Sequence, residues 1–250
     1  MKAAHLFLLL TLLPPCLGLS TEFDRVMARA KRGDLQAQSD LGLMYEYGEG
    51  VSQDYAQAIH WYQKAAEQGS AKAESLLGYM YYKGKSVPQD YTLAAAWYRK
   101  AAEHGYAEAQ LALGNMYDAG QGVPQDDKEA TYWYLKAAEQ GDPQAQNNVA
   151  LAFWRGQGVE VDVAESARWY RKAAEQGLPQ AQAILGILYV VGQGVPKDTV
   201  AAYVWTSLAV QGGFGKASGA RDKIAKLMTP GQEQEARRRA RAWLKKTSGQ

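Results

Sequence analysis

The sequence predicts an all-α fold: a solenoid of about five 36-residue helical hairpins with a capping helix at each end. Three observations predict it. Gly33, Gly69, Gly105, Gly141, Gly177 and Gly213 fall 36 residues apart without a slip. Trp61, Trp97, Trp133, Trp169 and Trp205 keep the same step, as do Asp54, Asp90, Asp126, Asp162 and Asp198 and the aromatic series Tyr45, Tyr81, Tyr117, Phe153 and Tyr189. Within each period, two stretches carry small and apolar residues at helical spacing, parted by Gly and Pro. A fixed period of this length marks stacked supersecondary units that cannot bury their apolar faces alone.

Residues 1–20 read as a secretory signal peptide. Lys2 precedes an apolar run from Leu6 to Leu13, and Pro14-Pro15 end it. Cleavage before Thr21 and cleavage after Gly18 both suit the small residues there. The run is too short to span a membrane, which takes roughly 20 apolar residues. Cys16 follows Leu13, Pro14 and Pro15, a poor match to a lipoprotein signal, so membrane attachment would require lipidation at Cys16 or an uncleaved leader. Residues 21–32, with Phe23, Val26 and Ala30 aligned to Ile59, Tyr62 and Ala66, read as an N-terminal capping helix.

Residues 33–212 hold the repeats. Each first helix starts at Asp34, Ser70 or Asp142, whose side-chain oxygens accept free backbone N–H groups, and Pro143 and Pro179 sit at first-turn positions. Ala37, Leu41 and Tyr45 mark one buried face. Gly48, Gly84, Gly120, Gly156 and Gly192 supply left-handed C-caps. After a loop such as Gly120 to Pro124, Asp126 caps the second helix, with Glu129 placed to complete a capping box. Ala130, Trp133 and Ala137 form that helix's packing face. Residues 213–250 read as a partial repeat and a basic C-terminal capping helix, beginning at Thr229-Pro230 and shielding the last apolar face.

Leu77-Gly78 to Tyr81, the loop from Gly120 to Asp126, and the segment Ala94 to Ala102 together resemble the Sel-one-like repeat, a helical-hairpin relative of the tetratricopeptide repeat. The resemblance covers about residues 33–212. It implies a right-handed superhelical α/α solenoid whose first helices line a concave wall, and it implies protein or peptide partners. Local departures are Ala150 for the helix-one glycine, Ser52 and Glu160 for the loop proline, and Thr206 at the end of the Trp-Tyr series.

Chemistry is sparse. With 28 basic and 26 acidic residues the charge balance does not call for nucleic acid. One cysteine and three histidines without metal-ligand spacing point to no metal site. The Gly-x-Gly pairs lack the third glycine and the Lys-Ser/Thr of a phosphate loop, so they read as helix caps. His60 and His104 read as surface or capping residues. No catalytic residue and no cofactor is expected, and the Trp and Tyr series read as core rather than as stacking platforms. Arg237, Arg238, Arg239, Arg241, Lys245 and Lys246 read as a solvated face, with an acidic partner or anionic head groups as the alternative.

Three positions per first helix vary freely between repeats: Asp40, Leu43 and Tyr47 correspond to Leu76, Tyr79 and Lys83, to Ala112, Asn115 and Ala119, to Asn148, Leu151 and Arg155, and to Ile184, Ile187 and Val191. Their spacing of three and four makes one stripe per helix. Aromatic and Arg residues are the usual anchors of interfaces. Tyr47, Tyr79, Tyr82, Lys83, Asn115, Asn148, Trp154 and Arg155 are therefore the candidate partner-binding residues.

The expected function is a non-enzymatic, monomeric scaffold exported to a bacterial periplasm, holding a partner protein or peptide in the groove. The resemblance adds an alternative, an immunity protein that neutralises a cognate secreted toxic effector. It also raises a β-lactamase-like or penicillin-binding activity, known of cysteine-rich relatives. This chain has no cysteine after residue 20 and no Ser-x-x-Lys signature. If the Trp series is core, Trp133→Ala lowers unfolding free energy by about 3–5 kcal/mol, measured by urea denaturation.

Overall fold

The computed structural model describes residues 21–248, and the leader expected over residues 1–20, with Cys16, lies outside them. Among the described residues there are thirteen α-helices, one short 3-10 turn and no strand. The chain forms two compact units that divide between Ala65 and Ala66.

The first unit holds α1 (Glu22–Lys31), α2 (Leu35–Tyr47) and most of α3 (Tyr55–Glu67). A closed capping box starts α1: Thr21 Oγ1 accepts the Asp24 N–H at 3.1 Å, and the Asp24 carboxylate accepts the Thr21 N–H at 3.0 Å. Val26 and Ala30 of α1 pack with Ala37, Leu41 and Trp61. Tyr62 is fully buried, and its hydroxyl donates to the equally buried Glu46 carboxylate at 2.9 Å. The stepping of Ala37, Leu41 and Tyr45 gave no place to a buried Glu46, because it lies between the two faces that a helical wheel distinguishes.

The second unit contains four hairpins: α4 (Ala71–Lys83) with α5 (Tyr91–Glu103), α6 (Ala107–Ala119) with α7 (Asp127–Glu139), α8 (Pro143–Arg155) with α9 (Val163–Glu175), and α10 (Pro179–Val191) with α11 (Thr199–Gln211). The 3-10 turn Gly215–Ala217, α12 (Ser218–Ala225) and α13 (Pro230–Ser248) follow.

The helix ends follow the sequence closely. Ser70 and Asp142 accept the N–H groups of Ala73 and Ala145, at 3.3 and 2.7 Å. Gly84, Gly120, Gly156 and Gly192 end the first helices at positive φ, between 64° and 75°. Asp90, Asp126, Asp162 and Asp198 cap the second helices through their carboxylates. The capping box expected at Asp126 and Glu129 does not close. The Asp126 N–H donates instead to the Tyr117 carbonyl at 3.1 Å, and Asp90, Asp162 and Asp198 make the same bond to Tyr81, Phe153 and Tyr189. Each cap residue thus ties the second helix back to the end of the first, which leaves the Glu129 carboxylate no N–H to receive.

Two contacts set the spacing of the helices. Within a hairpin, the second-helix tyrosine lies flat on the first-helix glycine: a Cβ on Gly78 would lie 2.8 Å from the Tyr98 ring, and one on Gly114 would lie 2.6 Å from the Tyr134 ring. Between hairpins, the second glycine of each Gly-x-Gly loop meets backbone. A Cβ on Gly122 would be driven into the Tyr91 carbonyl, and one on Gly158 into that of Asp127. This corrects the reading of both glycines as caps. The first is a C-cap, while the second allows the loop to touch the start of the preceding second helix.

Pairs of glutamines, one buried and one exposed at the end of a second helix, join successive hairpins. Gln110 donates to the Ala102 carbonyl at 3.0 Å and accepts from Gln140 at 2.8 Å, and Gln140 also reaches the Gly105 carbonyl at 2.9 Å. One repeat later Gln146 and Gln176 make the same set of bonds. One repeat earlier the pair is Glu74 and His104, with Nδ1 to Oε2 at 2.8 Å. His104 is an exposed C-cap residue, as expected, and from that position it reaches the buried Glu74 just as Gln140 and Gln176 reach Gln110 and Gln146. Trp133 and Trp169 are buried, whereas Trp97 and Trp205 are half-buried. The indole N–H groups of Trp133 and Trp169 have no hydrogen-bond partner; packing holds both rings, with Tyr132 edge-on to Trp133 and the Lys172 ammonium 3.6 Å from the Trp169 ring centre.

Gly114→Ala should reduce stability by roughly 1–3 kcal/mol through the Tyr134 clash, read from the urea midpoint. Gly122→Ala should reduce it further, because backbone cannot move aside as a ring can and its φ of 71° already disfavours a Cβ. Gly141→Ala, with nothing within 4 Å of the added Cβ, should show the conformational effect alone.

Candidate functional site

The variable stripe of first-helix residues forms a wall in the second unit, and two recesses open on it. One, of about 180 Å³, is lined by Tyr79, Tyr82 and Lys83 of α4, Tyr98 of α5, and Ala112, Asn115 and Met116 of α6. Tyr82 is fixed there by donating to Gln121 at 3.1 Å. Lys83 and Lys85 ammonium groups stand 5.4 and 4.9 Å from the ring centres of Tyr82 and Tyr79, within the range at which a ring face attracts a cation.

The other recess, of about 380 Å³, lies across Asn115 and is polar. Asn115, Asp118, Asp127, Tyr134, Gln144 and Asn148 contribute to its lining. Tyr134 donates its hydroxyl to Asn115 Oδ1 at 2.9 Å, and Asn148 Nδ2 approaches the same oxygen at 3.4 Å. Asn115 is thus the shared partition, with a tyrosine-rich side toward α4 and an amide and carboxylate side toward α8. Such groups suit the N–H and C=O groups and the side chains of a polypeptide.

Of the candidate residues, Tyr79, Tyr82, Lys83, Asn115 and Asn148 come together here. Trp154 and Arg155 are exposed at the end of α8 and line neither recess. Tyr47, in the first unit, is 64% exposed at the end of α2. Sequence reasoning missed Tyr98 and Tyr134, which come from second helices yet reach the wall past Gly78 and Gly114. The available signal was the tyrosine after each tryptophan, at 62, 98, 134 and 170.

Burial pushes the Tyr98 phenol well above its ordinary range, helped by neighbouring Tyr82 and Tyr79. Burial does the same for Tyr134, with a further push from Asp118. Tyr170 is raised to about 12 by burial, against a lowering pull from Arg155. Among the described residues no group of three His, Cys, Asp or Glu is placed to hold a metal ion, and no helix is long and apolar enough to cross a membrane.

Hairpin helices at a fixed period, joined by backbone-close loops and presenting a variable wall, define a solenoid repeat protein. A family model described as the Sel1 repeat matches residues 35–70, 71–106, 107–142, 143–178 and 179–214. The chain belongs to the Sel1 repeat family, whose members are protein-interaction scaffolds.

Solved structures agree. A Sel1 repeat protein from Oxalobacter formigenes is 32% identical with a TM-score of 0.77, over 92% of this chain and 93% of that one. A protective antigen of uropathogenic Escherichia coli strains, displaying an SLR fold, is 32% identical with a TM-score of 0.58, over 89% of this chain and 56% of that one. No curated protein matches the chain.

Raised phenol values tie stability to pH. Below pH ~10 these tyrosines are protonated in both states and their contribution is fully present. Above it the unfolded chain ionises first, so stability falls as pH rises toward the folded values. The urea midpoint should therefore drop between pH 9 and 11, and phenolate absorbance at 295 nm should rise late for the folded protein relative to protein in urea.

Proposed function

We propose that this chain is an exported, non-enzymatic scaffold of a bacterial periplasm that holds a partner protein or peptide against its first-helix wall. The observation that carries this reading is the pair of recesses sharing Asn115. Aromatic anchors stand on one side, hydrogen-bonding amides and carboxylates on the other, on helices held rigidly by the contacts beneath them. Anchors of this kind dominate interface energetics when seated in preformed recesses. Export is supported by the basic start, apolar run and small residues of positions 1–20.

The test is affinity purification of tagged protein from its own envelope fraction, beside a variant carrying Tyr79→Ala, Tyr82→Ala and Asn148→Ala. A stoichiometric partner retained by the native chain should be lost by the variant, with a loss of about 2 kcal/mol or more, roughly thirtyfold in Kd. Resident envelope proteins would establish an adaptor, and a single secreted toxin would establish an immunity role. A partner held equally by both samples would remove the wall from the interface. Hydrolysis of a chromogenic β-lactam by the purified protein would overturn the non-enzymatic reading.

A further inference from the structure

The basic run at the C-terminus, which reads in sequence as one solvated face, divides into two sets in the structure. Arg238 and Arg239 both donate to the one carboxylate of Glu235, at 2.8 and 2.7 Å, and are held along their own helix. Arg237 and Arg241, one turn apart on another face of α13, border a recess of about 230 Å³ between α11, α12 and α13. Arg221 of α12 and Tyr203, Ser207 and Gln211 of α11 complete its polar lining.

Three guanidinium groups and no carboxylate line this recess. Two of them are held in place from behind. Arg237 donates to Glu233 through two nitrogens, at 3.0 and 2.6 Å, and lies 5.9 Å from the Tyr203 ring centre. Arg221 donates through two nitrogens to Asp222, at 2.9 and 2.7 Å. Each keeps further N–H donors, since a guanidinium has five. Arg241 has no carboxylate partner among the described residues, so the recess retains an uncompensated positive charge.

An independent observation comes from the recess wall. Ser207 is 6% exposed, and its hydroxyl is buried without a hydrogen-bond partner. Buried polar groups are nearly always paired, and an orphan calls for an explanation. The neighbouring Thr206 hydroxyl, in contrast, donates to the Ala202 carbonyl at 2.8 Å. Ser207 thus belongs to the wall of the recess that the three arginines line, and its hydroxyl is a donor with no acceptor among the described residues.

We propose that the recess between α11, α12 and α13 binds a phosphate group, contacted by Arg237, Arg241 and Arg221 and by the Ser207 hydroxyl. Guanidinium forks match phosphate oxygens in pairs, and charge-assisted bonds of this kind are the strong ones. The group is carried by a soluble phosphate ester or by the head group of an anionic phospholipid. The site lies at the C-terminal cap and does not depend on the partner wall.

The full mature chain is titrated with inorganic phosphate and with glycerol phosphate at constant ionic strength against chloride, by calorimetry and thermal shift. Phosphate should raise Tm saturably, as any ligand bound only by the folded state does. Arg241→Gln should weaken phosphate at least tenfold, while Arg238→Gln, which removes the same charge from the same helix, should change it less than twofold. Ser207→Ala should weaken phosphate several-fold yet leave Tm in chloride unchanged or higher, because it deletes an unpaired buried hydroxyl. No shift beyond chloride, equal losses from Arg238→Gln and Arg241→Gln, or unchanged affinity in Ser207→Ala would overturn the proposal. Vesicles of phosphatidylglycerol in phosphatidylcholine separate the sources: Arg241-dependent binding to them assigns a lipid head group, and Arg241-dependent binding of the soluble probes alone assigns a soluble ester.

Discussion

The contact of one tyrosine ring with one glycine backbone governs the hairpin. Tyr98 lies on Gly78 and Tyr134 on Gly114 so closely that even a methyl group would not fit. Helix axes usually stand 8–10 Å apart according to the side chains between them, and a missing Cβ lets one helix receive a whole aromatic ring. In the hairpin of α8 and α9, where Ala150 replaces the glycine, Ser166 adds a hydrogen bond to the Ala150 carbonyl at 2.7 Å. The same contact carries the tyrosine hydroxyls past the first helix toward the wall. Packing and candidate site are therefore one arrangement: the ring settles the hairpin, and its hydroxyl helps to line the surface.

Stacking of the hairpins relies on backbone and amides more than on large apolar residues. Gly122, Gly158 and Gly194 bring each loop against the first turn of the preceding second helix, each at positive φ. Gln110, Gln146 and Gln182 bury their amides and satisfy carbonyls near the preceding second-helix end. A buried amide that lacked these carbonyls would be costly, so the glutamines admit one register of stacking and penalise others. Glu74 and His104 occupy the same places with a carboxyl and an imidazole in place of two amides. That exchange keeps the geometry while changing the chemistry of one junction.

With the framework so constrained, the first-helix surface is free to differ between repeats, and it does. Tyr79, Asn115 and Leu151 occupy equivalent positions one repeat apart yet offer an aromatic ring, an amide and an aliphatic group. The pair of recesses around Asn115 follows from that variation. The C-terminal cap adds another kind of surface, where the repeat pattern stops and arginines from α12 and α13 face α11.

The period, the hairpins, their caps and the framework positions were legible in the sequence, because each expresses a local rule repeated several times. Asp90, Asp126, Asp162 and Asp198 cap helices wherever they stand, and Gly84, Gly120, Gly156 and Gly192 end them, for reasons that involve only a few neighbouring residues. The variable stripe was legible too, as the remainder once the repeated positions were set aside. Tertiary structure alone decided what crosses between elements. It placed Tyr98 and Tyr134 on the wall, gave the Asp126 N–H to Tyr117 rather than to Glu129, paired Glu74 with His104, and sorted Arg237 and Arg241 from Arg238 and Arg239. Helical spacing specifies which face a residue occupies, but which partner meets that face depends on distances between separate helices, as in Tyr82 with Gln121, 39 residues apart along the chain.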